Sequence, residues 1–98
     1  MATFITTIRF TQSGLQGIRE TGKRAAAFKA AAKKMGVKVT GTYWTLGAFD
    51  GVIIFEAPDD ETATAAMLGL ATQGNVTTTT ARAFGTSEIE KVVGMLGP

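Results

Sequence analysis

The chain has 98 residues, no cysteine, no histidine and a formal net charge of +2. Without imidazole or thiol there is no Ser–His or Cys–His nucleophile, no thiolate zinc or iron–sulfur site and no disulfide. The remaining ionisable chemistry rests on carboxylates, lysines, arginines and Tyr43, and the sequence calls for neither a metal nor a cofactor.

Residues 2–10 are β-branched and aromatic, with Phe4, Ile8 and Phe10 on one alternation face, and predict a strand. After a turn-rich stretch, Leu15 and Ile18 fall out of phase with the segment beyond them, so a short helix is expected to break at Thr21-Gly22. Residues 22–35 are alanine-rich and helical by propensity. On that helix Ala25, Phe28, Ala31, Ala32 and Met35 share one arc, opposite Lys23, Lys29, Lys33 and Lys34. Thr21 is the expected cap and Gly36 the expected stop.

A second strand is predicted over 37–46, with Gly41 a candidate bulge, then a turn and a third strand beginning at Val52, the two forming a hairpin. Asp59 suits an N-cap, and Ala63, Ala66, Met67 and Leu70 make the buried stripe of the next helix, which Gly74 ends. Residues 75–84, including Thr77 to Thr80, predict a fourth strand. Ser87 and Glu90 have capping-box spacing for a short terminal helix carrying Ile89, Val92, Val93 and Leu96.

The order β-α-β-β-α-β plus a terminal helix predicts an α+β, ferredoxin-like domain spanning 1–98. Its sheet is four-stranded and antiparallel, with helices on one face. Either alternation of the third strand points two large apolar residues at the open face, Ile53 with Phe55 or Val52 with Ile54. A second copy is the expected cover, giving a homodimer or higher homo-oligomer. The longest apolar run, Val52 to Phe55, is far short of the roughly 20 residues that span a bilayer. A cytoplasmic protein without a membrane partner is expected.

Charge is segregated. Residues 19–38 hold seven bases against Glu20 alone, whereas residues 50–61 hold five acids and no base. A polyanion would be drawn to one block and repelled by the other, so the basic isoelectric point is no sign of nucleic acid; solvated helix faces of opposite sign are the simpler reading and contacts between copies the sharper one. RNA-binding chains with this strand order also need stacked aromatics on central strands, which Gly51 to Phe55 lack.

The candidate catalytic residue is Asp50, at the hairpin tip beside Gly51, as a base or an anchor for a ligand amine; local turn capping is its simpler role. Tyr43 and Trp44 must face opposite sides of their strand, as pocket wall or packing. Arg24 is the one base within the apolar arc of its helix and can hold an anion or pair with Glu56. Arg9 and Arg82 are further ligand-binding candidates, with ion pairs to Glu56 or Asp50 as the simpler role. Gly14-x-x-Gly17 lacks the Lys-Ser/Thr of a phosphate loop and reads as a flexible connection. Asp59-Asp60-Glu61 diverge around a helix start, so capping is expected there rather than metal binding.

Most of the chain, and above all Tyr43-Trp44-Thr45-Leu46-Gly47 and Glu56-Ala57-Pro58-Asp59-Asp60, resembles the GYD family. That family is similar to the dimeric α/β-barrel group, ferredoxin-like chains whose sheets pack face to face. The name-giving Gly-Tyr-Asp falls on Ala48-Phe49-Asp50, so only the aspartate is kept, and any role of the tyrosine hydroxyl is lost at Phe49. The resemblance implies architecture and leaves the chemistry open. The leading expectation is a homo-oligomeric module binding a small molecule in a cavity at the sheet face. One rival is a cofactor-independent enzyme, monooxygenase- or isomerase-like, with Asp50 as base, Arg24 or Arg9 stabilising an anion and Tyr43 or Trp44 as wall. The other is a structural assembly subunit.

Overall fold

The structure, a computed structural model, covers residues 1–98. Its elements run β1 (Ala2–Phe10), α1 (Gln12–Gln16), a 3-10 turn (Ile18–Glu20), α2 (Thr21–Lys34), β2 (Lys38–Trp44), β3 (Gly51–Ala57), α3 (Asp60–Ala71), β4 (Val76–Ala83) and α4 (Thr86–Gly94). The strands form one antiparallel sheet in the order β2-β3-β1-β4, the ferredoxin-like arrangement expected from the element order.

Strand β3 decides which face is which. Gly51, Ile53, Phe55 and Ala57 are buried, while Val52, Ile54 and Glu56 between them are only half-buried. Ile53, Phe55 and Ala57 join Phe4 of β1, Ala32 of α2 and Ala63, Ala66 and Met67 of α3 in the core. The Phe4 and Phe55 rings stack with centroids 5.3 Å apart. Thr6 is the buried polar residue of this layer. Its Oγ1 donates to Met67 Sδ at 3.3 Å and lies 2.8 Å from Thr80 Oγ1, so it is not left unpaired.

The helix termini differ in part from the sequence expectation. Asp59 caps α3 as predicted, accepting from Thr62 N–H at 2.7 Å. Hydrogen bonding from Thr62 holds its carboxyl below the usual range. For α2, Glu20 sits at the N-cap without a side-chain bond, and the Thr21 hydroxyl accepts the Trp44 indole N–H at 3.0 Å instead. The break before α2 falls in the 3-10 turn rather than at Thr21-Gly22. Helix α2 ends at Lys34 with Met35 as its C-cap, and Gly36 just beyond takes the φ of 82° that suits glycine.

Helix α4 begins at Thr86, one residue before Ser87, with Gly85 as its N-cap. Glu88, not Glu90, accepts the cap N–H, at 3.3 Å. Glu88 is placed there because its other oxygen binds Arg82 Nη2 at 2.7 Å. Ile89, Val92, Val93 and Leu96 stay exposed, so α4 stands away from the body. The radius of gyration of 15.0 Å accordingly exceeds the roughly 12.5 Å of a compact chain of this length.

The Arg82 guanidinium and then the Gly85 N–H hold the Glu88 carboxyl below its ordinary value. A depressed carboxyl contributes its anchoring in full above the unfolded-state pKa and loses it as pH falls through the folded one. Backbone amides of residues 86–94 are therefore expected to lose protection from exchange as pH falls through the acid end of the carboxylate range, before those of β1 and β3. Glu88→Gln should give the same loosening at neutral pH, and both are read by NMR.

The open sheet face carries Ile5, Val52, Ile54 and Tyr43, flanked by Thr3, Thr7, Thr77 and Thr79. The register shifts between Val39 and Gly41, where a bulge was expected. A Cβ at Gly41 would lie 3.0 Å from Tyr43 Cε2, so the tyrosine ring lies over the glycine. No helix is long and apolar enough to cross a membrane.

A candidate ligand cleft between the helices and the sheet

Helix α2 is poor in side-chain volume. Ala25, Ala27, Ala31 and Ala32 face a space that α3 borders with Ala66 and Gly69. Helix α2 rests on β2, and α3 on β3 and β4, so short side chains leave an unfilled gap between the two helices and the sheet. The result is a cleft of about 440 Å³, mostly apolar, with Phe28, Ile53, Leu70 and Val76 among its walls. It lies on the helix-covered side of the sheet, not on the open face where a cavity was expected. The void forms where the alanines of α2 leave space that bulkier side chains would fill.

Two charged side chains line the cleft, Arg24 and Asp50. Arg24 is half-buried in the first turn of α2, and its Nη2 reaches back to the Gly14 carbonyl at 3.3 Å. It makes no ion pair with Glu56 or any other acid. Asp50 Oδ2 accepts the Phe10 N–H at 2.9 Å, and Asp50 N–H donates to Ile8 O at 2.7 Å. Asp50 therefore ties the hairpin to the end of β1, a capping role across strands rather than within the turn.

Tyr43 and Trp44 diverge as expected. Tyr43 pairs with Val52 on the open face, while Trp44, opposite Gly51, turns to the helix side and is latched to Thr21 at the cleft. Arg9 is exposed on the open face. Arg82 is on the helix side, with its guanidinium 4.6 Å from the Phe84 ring centroid and paired to Glu88 rather than to Glu56 or Asp50. Thus Arg24, Asp50, Trp44 and Tyr43 all border one cleft, Tyr43 from a strand position whose side chain is directed to the other face, whereas neither Arg9 nor Arg82 borders it.

Gln73 and Asn75 also border the cleft, and sequence reasoning missed them. They lie in the α3–β4 turn, and no local pattern links that turn to the hairpin. The connection runs through Gly14, where a Cβ would lie 2.1 Å from Asn75 O. Close backbone approach, not phosphate cradling or flexibility, explains this glycine.

The sheet order and the helix layer define a ferredoxin-like fold. The sequence profile of the GYD domain matches residues 4–93, and the chain belongs to the GYD family. It is 32% identical over 90 residues to the glutamine synthetase and cystathionine beta-lyase binding protein of Thermus thermophilus, covering 91% of this chain and 95% of that one. Its fold matches the crystal structure of TTHA0845 from the same organism, with a TM-score of 0.57, 24% identity and coverage of 88% and 96% of the two chains. It also matches MtbAldR, with a TM-score of 0.61 and 17% identity over 86% of this chain. The chain spans about half of MtbAldR, 53% of its length.

Proposed function

We propose that this domain, residues 1–98, is a homo-oligomeric small-molecule-binding module whose ligand occupies the cleft between α2, α3 and the sheet. The observation that carries it is the cleft itself, an apolar volume of about 440 Å³ bordered by a few convergent polar groups, in the size range of ligand pockets. Ile5, Val52, Ile54 and Tyr43 on the open face, and the bare stripe of α4, support self-association. A cytoplasmic location is part of the proposal, and cell fractionation checks it.

The enzyme reading is less well supported, because the carboxylate of Asp50 holds the Phe10 amide and no imidazole or thiol is present to assist it. A protein-binding reading is favoured by the name of the Thermus relative and by the uncovered stripe of α4. Mixing the protein with purified glutamine synthetase tests that reading, and absence of a complex by size-exclusion chromatography removes it.

For the module itself, a fragment library is screened by ligand-observed NMR against the wild type and Ala31→Leu, while light scattering reports mass. Binders should lose about tenfold in affinity or more when leucine enters the cleft, and the scattering mass should be at least that of a dimer. Binding indifferent to Ala31→Leu, or a monomer at micromolar concentration, overturns the corresponding half of the proposal.

A further inference from the structure

We infer that the cleft selects an apolar monocarboxylate, with Arg24 as the residue that reads the charge; this rests on the cleft being a ligand site. The two charged groups bordering the cleft are not equivalent. One Asp50 oxygen is engaged by the Phe10 N–H, and the carboxylate is part of the β1 terminus. The Arg24 guanidinium has no acidic partner. Its hydrogen bond is a long one to a neutral carbonyl, Gly14 O at 3.3 Å. A guanidinium with open donors at the border of an apolar cleft recognises a planar oxyanion, and a carboxylate matches its fork with two parallel N–H···O bonds.

The surroundings set the charge and the body of the ligand. Lys23 is paired with Glu20 at 3.4 Å, which leaves Arg19 and Arg24 as the unpaired bases at this end of α2 and a net positive field there that draws an anion in. The Asp50 carboxylate borders the same cleft and disfavours a second negative charge. Phe28, Leu70 and Val76 offer no hydrogen bonds and most of the lining is apolar, so the bulk of the ligand is hydrocarbon, aliphatic or aromatic, with Gln73 and Asn75 able to meet a neutral polar group on it. Gly17 leaves room for the guanidinium, since a Cβ there would lie 2.9 Å from Arg24 Nη1.

The test uses three probes of one shape, phenylbutyrate, phenylbutanol and phenylbutylamine, titrated into the full chain. Calorimetry gives affinity, and fluorescence of Trp44, the sole tryptophan, reports occupancy of the cleft. Phenylbutyrate should bind about tenfold more tightly than the alcohol, and the amine should bind most weakly. Arg24→Gln should bring the acid down to the affinity of the alcohol while leaving the alcohol unchanged. Arg24→Lys, which keeps charge but not the fork, should recover part of the preference. Circular dichroism checks that both variants fold. Equal affinity for acid and alcohol, or an acid preference that survives Arg24→Gln, overturns the inference and leaves the cleft as a ligand site. Failure of all three probes at millimolar concentration counts against the cleft and this inference together.

Discussion

Phe55→Ala should lower unfolding stability by about 4 kcal/mol, the usual cost of emptying a fully enclosed aromatic site. Phe55 is completely buried in the central strand pair and stacks on Phe4 at 5.3 Å. Collapse into the void is limited, because Ala32, Ala63 and Ala66 on the helices have no reach, which leaves Met67 as the flexible core side chain of α3 able to shift. A domain of this size holds only about 5–15 kcal/mol in all, so the variant should melt roughly 20 °C lower or fail to fold at 37 °C. Phe55→Leu, which keeps most of the volume, separates cavity cost from loss of stacking and should cost well under half as much. Urea unfolding followed by circular dichroism measures both, at matched protein concentration because self-association would shift the midpoint.

The second large effect is expected from adding one methyl group. Gly14→Ala would place Cβ 2.1 Å from the Asn75 carbonyl oxygen, a backbone atom with no rotamer to yield. Relief requires moving α1 away from the α3–β4 turn. That movement breaks the Thr11 N–H to Asn75 O bond at 3.1 Å and the Thr11 hydroxyl bond to Gly74 O at 2.6 Å. Together the strain and the lost bonds should cost about 3 kcal/mol. Gly22→Ala is the matched control, since nothing lies within 4 Å of a Cβ there and the residue sits inside α2. That change should stabilise by about 0.5–1 kcal/mol. If Gly14→Ala proved as benign as Gly22→Ala, the contact between α1 and the turn would be wrong.

The elements that could be read from sequence are those whose pattern is local. The apolar run of β3 with Glu56 after it, the Asp59 cap and the Ala63–Ala66–Met67 stripe each state their structure within a few residues, and the fold emerges from their order. What resisted reading is set by distant partners. Thr21 carries the chemistry of a cap but bonds Trp44, 23 positions later. Arg82 reads in the sequence as a ligand-binding candidate, with Glu56 or Asp50 as its simpler partners, and the start of α4 supplies Glu88 instead. The side of the sheet holding the cleft was equally hidden, because an alanine-rich helix announces helicity and says nothing of the space it leaves. Gln73 and Asn75 enter only through the packing of α1 against their turn, for which a lone glycine was the single clue.

That packing has a mechanical meaning for the cleft. On one side of the opening, α1, the end of β1 and the α3–β4 turn are stitched together at Thr11 and Gly14. On the other side, the hairpin is fastened by Asp50 at its base and reaches α2 through the Trp44–Thr21 bond. Between those points Leu46 is fully exposed. The opening is thus framed by hydrogen bonds between elements distant in sequence, and Trp44, bonded to Thr21 at its border, is the side chain whose surroundings change when the space beside it is filled.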